Sequence, residues 1–89
     1  MIEQELKIIN RLGLHARPAA LIAQTAAGFT SDIKLTKDSV SVNAKSIMGV
    51  MMLAAECGSS LKLTVDGADE QAAAQAIAQL FEQKFNEEF

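Results

Sequence analysis

An open-faced α/β sandwich, a sheet with helices on a single face, is the fold class the sequence predicts. The elements run in the order βαββαβα, and the strands alternate apolar with polar residues so that only one face of the sheet can enter a core. Size agrees with this, because 89 residues fit one small domain, residues 1–89, with no length left for a second core.

In the first strand Ile2, Leu6 and Ile8 alternate with Glu3, Glu5 and Lys7, although Gln4 falls on the apolar side. From Ala16 to Ala27 small and aliphatic residues recur at helical spacing. Ala19, Ile22, Ala23 and Ala26 form the stripe, and Gly28 is placed to end it. Ile33 and Leu35 alternate with Asp32, Lys34 and Thr36, and Val40 and Val42 with Ser39, Ser41 and Asn43, so that Lys37 and Asp38 join a hairpin. A short helix, Ile47 to about Leu53, follows. Leu61, Leu63 and Val65 then alternate with Ser60, Lys62 and Thr64 before an Asp66-Gly67 turn. Asp69 caps a last helix, Glu70 to about Phe85, on which Ala73, Ile77, Leu80 and Phe81, then Lys84 with Phe85, follow the helical period. The other face of the sheet, carrying Lys7, Lys34, Lys62 and Thr64, is left to water. Element order alone leaves a ferredoxin-like topology open.

Composition narrows the function. Hydrophobic residues make up 49%, with five glycines and only one proline, which argues against disorder and shows no linker. The net charge of −3, with no basic stripe or interleaved aromatics, argues against nucleic acid. Cys57 has no cysteine to pair with and no spaced ligands for zinc, so it reads as a small packed or half-exposed residue in a reducing compartment. Charged residues interrupt the start and no apolar run reaches transmembrane length, so a soluble, cytoplasmic protein without membrane insertion is expected.

The most informative residue is His15, the only histidine, which stands at the end of an apparent strand and immediately before the start of a helix. The first N–H groups of a helix have no internal partner and carry partial positive charge, so this end attracts anions. Pro18 suits a first turn, and Gly13 gives the entering chain freedom to turn. The dipole and the charge of Arg17 disfavour imidazolium, which favours the nucleophilic neutral ring. Histidine forms covalent intermediates, and phosphoryl transfer depends mostly on positioning and charge stabilisation. Arg17 and the amides of Ala16 and Arg17 could supply both without a metal or other cofactor. A lone histidine here also reads as an ordinary cap or surface residue.

The stretch Gly13-Leu14-His15-Ala16-Arg17-Pro18-Ala19 resembles the active-site sequence of the HPr family, the histidine-containing phosphocarriers of the bacterial phosphoenolpyruvate-dependent phosphotransferase system. A second stretch, Asn43-Ala44-Lys45-Ser46-Ile47-Met48-Gly49-Val50-Met51-Met52-Leu53, is similar to that family's regulatory-serine segment. The resemblance implies a four-stranded antiparallel sheet under three helices. It further implies that His15 accepts phosphate on Nδ1, as a pros-phosphohistidine, from phospho-Enzyme I and passes it to IIA domains, with Arg17 pairing the phosphoryl oxygens. Such a carrier is a substrate of other enzymes and is not itself an enzyme.

Ser46 reads as an N-cap from sequence, and the resemblance makes it a site for an HPr kinase/phosphorylase, where phosphate would sit against a helix end. The short helix is apolar nearly all round but too short to be wholly buried. Val50 and Leu53 are the core candidates, leaving Ile47, Met48 and Met51 to project near the His15 helix end. Flexible thioethers suit successive partners, and the resemblance makes this patch, with Ala20, Leu21 and Gln24 of the first helix, a docking surface for Enzyme I and IIA domains. A shuttle is most simply monomeric. A nitrogen-related paralogue with a purely regulatory relay keeps the same chemistry, and a transcription regulator is left open as a further partner. The distant alternative is a noncatalytic interaction module in which His15 and Ser46 only cap.

Overall fold

Three of the four strands turn a pleat of apolar residues into a single core, while in the third Val40 is exposed and Val42 half-buried. In the computed structural model, which describes residues 1–87, Leu6, Ile33, Leu35, Leu61, Leu63 and Val65 are buried, while Lys7, Lys34 and Lys62 on the opposite face are exposed. The strands β1 (Ile2–Lys7), β2 (Asp32–Lys37), β3 (Val40–Asn43) and β4 (Ser60–Asp66) form one sheet in the order β1-β4-β2-β3, with every neighbouring pair antiparallel. Register matches core residue to core residue: Leu6 lies opposite Leu61, Leu35 opposite Leu63 and Ile33 opposite Val65. A slip of one residue would turn the whole set to water.

The helices α1 (Ala16–Ala27), α2 (Ile47–Met52) and α3 (Glu70–Glu82) cover the apolar face. On α1 the buried residues are the expected stripe with Pro18 added, and on α2 Val50 enters the core, as does Leu53 just beyond it. Burying a side chain the size of Ile22 or Ile77 contributes roughly 1.5–3 kcal/mol relative to exposure. Two segments fix the approach to α1. Gly13 has φ 70, and a Cβ there would lie 2.5 Å from the carbonyl oxygen of Ala55, while the Leu14 N–H donates to that same oxygen at 3.0 Å. The loop before α1 is thereby held against the loop after α2.

Several local expectations need correction. The β2–β3 turn falls on Asp38 and Ser39, with φ 49 and 73, one residue later than expected, because a two-residue turn with both φ values positive matches the twist of a hairpin. Gly28 ends α1 in a right-handed conformation, so its left-handed freedom is not used. Cys57 is exposed rather than packed. Asp69 occupies the N-cap position of α3 but gives that helix no side-chain cap. Its carboxylate instead accepts from the Thr30 N–H at 2.9 Å, the Ser31 N–H at 3.0 Å and the Ser31 hydroxyl. The Ser31 hydroxyl and the Thr30 amide, in that order, hold the Asp69 carboxyl at about 2, below its ordinary 3.8.

The largest departure is at the end of α3. The helix stops at Glu82 rather than Phe85, and Lys84, Phe85 and Asn86 form a turn with φ values of 55, 55 and 62. Left-handed backbone costs roughly 1–2 kcal/mol per residue. Against that, Phe85 is fully buried with its ring edge-on to Phe81 at 4.9 Å, and the reversed chain returns Glu87 to the start of α1.

Candidate functional site

His15 is the N-cap residue of α1, with φ −75 and ψ −171, so the chain is extended as it enters the helix. The first intrahelical bond runs from the Ala19 N–H to the His15 carbonyl at 3.1 Å. No side chain caps this end, and no acidic residue lies in the first turn. The N–H groups of Ala16 and Arg17 therefore precede the helical ladder, and both residues are exposed. Arg17 forms no salt bridge among the described residues. The structure thus brings together a histidine, an arginine and uncapped amides, the set singled out from the sequence.

It also adds two residues that sequence reasoning missed. His15 Nε2 lies 2.6 Å from Oε2 of Glu87, whose side chain is only 5% exposed, while the His15 side chain is 36% exposed. The other Glu87 oxygen, Oε1, accepts from Asn10 Nδ2 at 2.9 Å, and the same Asn10 amide donates to the Gly13 carbonyl at 2.8 Å. Burial pushes the Glu87 carboxyl up, but the hydrogen bonds from Asn10 and His15 and the charges of His15 and Arg17 outweigh it and hold the group below its ordinary value. Asn10 carried a signal: two-residue alternation continues Leu6 and Ile8 onto the inward face, and a buried amide must find partners. Glu87 carried none, because its contact with His15 spans 72 positions.

Ser46 is the N-cap of α2, and its Oγ accepts the Gly49 N–H at 3.0 Å. Beside it, the Lys45 ammonium donates to the Phe29 carbonyl at 2.9 Å, which ties the α2 entry to the end of α1. Ile47, Met48 and Met51 are exposed, and so is Met52, unassigned from the sequence, at 74%. Gln24 is exposed, Ala20 is half-buried, and Leu21, expected to be exposed, is half-buried and packs partly against the core.

The family model described as "PTS HPr component phosphorylation site" matches residues 2–83. The chain belongs to the HPr family. It is 57% identical over 88 residues to the phosphocarrier protein HPr of Treponema pallidum (strain Nichols), covering 99% of this chain and 100% of that protein. It is 50% identical over 88 residues to the HPr of Xylella fastidiosa (strain Temecula1), with 99% of each covered. The crystal structure of HPr-C-His from Thermoanaerobacter tengcongensis superposes with a TM-score of 0.95 at 50% identity, covering 100% of both chains. This HPr chain is accordingly a phosphocarrier of the phosphotransferase system, and the ferredoxin-like alternative falls away. Among its described residues no helix is long and apolar enough to cross a membrane.

Proposed function

We propose that His15 is the residue that carries the phosphoryl group, accepting it on Nδ1 from phospho-Enzyme I and passing it to IIA domains. The observation that carries this reading is the uncapped N-terminus of α1, with His15 at its cap position and Arg17 free of salt bridges among the described residues. A transferred phosphoryl group brings negative charge to a helix end whose amide dipoles favour it, with the Arg17 guanidinium two residues along to pair with its oxygens. Transfer requires no proton from the protein: the Nδ1 lone pair forms the N–P bond while the bond from phosphorus to the donor breaks, its electron pair staying with the donor. The carrier works as a monomer in the cytoplasm, and Ile47, Met48 and Met51, with Ala20, Leu21 and Gln24 of α1, form the surface on which donor and acceptors dock in turn. Thioether flexibility supports that role.

In the same reading Ser46 is a regulatory site for an HPr kinase/phosphorylase. Its hydroxyl already faces the start of α2, where added negative charge is favourable, so modification would change docking more than folding. The deciding experiment is incubation with phosphoenolpyruvate and active Enzyme I. An acid-labile phosphate is expected on the protein and is expected to vanish in His15→Ala. A protein that stays unlabelled beside an active Enzyme I would end the proposal.

A further inference from the structure

The placement of Glu87 has a chemical consequence for the ring it touches. A carboxylate can only accept hydrogen bonds, so at 2.6 Å it requires the proton to be on His15 Nε2. We propose that Glu87 is a positioning residue for phosphoryl transfer, fixing His15 as the Nε2–H tautomer and leaving the lone pair on Nδ1. This rests on the reading of His15 Nδ1 as the phosphoryl acceptor.

The geometry is built rather than incidental. Asn10 is fully buried and holds Glu87 Oε1 while gripping the Gly13 carbonyl, so the carboxylate is indexed to the loop that delivers His15. Phe85, locked in the core, anchors the reversed chain two residues away. In the transfer step the ring gains a bond to phosphorus at Nδ1 and keeps its proton at Nε2, so it becomes cationic. Glu87 stabilises that cation through a charge-assisted hydrogen bond, in the way a carboxylate orients a catalytic imidazole elsewhere.

Glu87→Gln tests the idea sharply. A glutamine keeps an oxygen for Asn10 but turns an amide N–H toward His15, which then must accept at Nε2 and hold its proton on Nδ1. Ring nitrogen shifts of 15N-labelled protein, read at a pH where the ring is neutral, are expected to show Nε2–H in the native protein and Nδ1–H in E87Q. Phosphoryl acceptance from phospho-Enzyme I is expected to slow by about tenfold to a hundredfold in E87Q, the range for a hydrogen bond to a charged group. Glu87→Ala, which selects neither tautomer, should fall between the two in rate and serves if E87Q disturbs the fold. The same Nε2–H ring and native rates in both variants would overturn the assignment. A native protein that takes no phosphate, while E87Q still moves the proton, would instead overturn the carrier reading and with it the role of Glu87 in transfer.

Discussion

The starts of α1 and α2 are built alike in backbone and oppositely in chemistry. Each opens from an extended residue, His15 with φ −75 and ψ −171 and Ser46 with φ −104 and ψ 116. Ser46 turns its hydroxyl back onto the Gly49 N–H and satisfies its own helix, whereas His15 caps nothing and reaches across to Glu87. A capped end is locally stable, while an uncapped end keeps its donors for something that arrives. The third helix shows a further use of the same position, since Asp69 leaves α3 uncapped to bind the Thr30–Ser31 segment at the far end of α1. Which of these fates a cap residue takes depends on where else its side chain can reach.

The largest effect on the fold is expected at Asp69, which serves three donors where Ser46 serves one. Its native carboxyl is held at about 2 against an ordinary 3.8, so protons bind the unfolded chain first as pH falls. The stabilisation is complete above about pH 4 and is lost progressively toward about pH 2. Melting temperature followed across that window should fall steeply for the native protein and less steeply for Asp69→Asn. Parallel curves would mean that Asp69 adds nothing to the joint between α1 and α3.

Ser46→Ala should come next. Losing one N-cap bond costs about 1 kcal/mol, or about 4–8 °C in melting temperature for a domain of this size. Phosphate acceptance by His15 should be unchanged, because the α2 cap and the α1 end are separate pieces of chemistry. A native melting temperature in the variant would show that Gly49 finds water as good a partner as the hydroxyl.

Much of this contrast can be read from the residues alone. Strand alternation names the core face because only one pleat of each strand is apolar, and Ser46 ahead of an apolar run announces a cap. His15 before Ala16-Arg17-Pro18 likewise announces a helix start without a conventional cap. What stays hidden depends on long-range closure. Phe81 and Phe85 are four apart, a spacing equally served by a continued helix and by the left-handed turn that is found. The turn gains the partners waiting at His15 and Asn10 in addition to the buried Phe85 ring, and no local pattern encodes those partners. Asp69 is hidden for the same reason: a cap from sequence, it is drawn away by donors 38 and 39 positions distant.

The smallest expected effect is also the most direct test of the comparison. If the α1 end lacks only a cap, then a serine there should behave as Ser46 does on α2. His15→Ser is therefore expected to be more stable than His15→Ala by about 0.5–1 kcal/mol, the usual value of a hydroxyl at an N-cap. Both variants lose the contact to Glu87, so their difference isolates the cap, and chemical denaturation resolves it. Neither should accept phosphate. Equal stabilities would mean that the amides of α1 are too splayed or too well hydrated for a short side chain to reach, and that the resemblance between the two helix starts ends with the backbone. A serine that stabilises the fold while abolishing transfer would show local stability given up at this position for the sake of a ring that can carry charge.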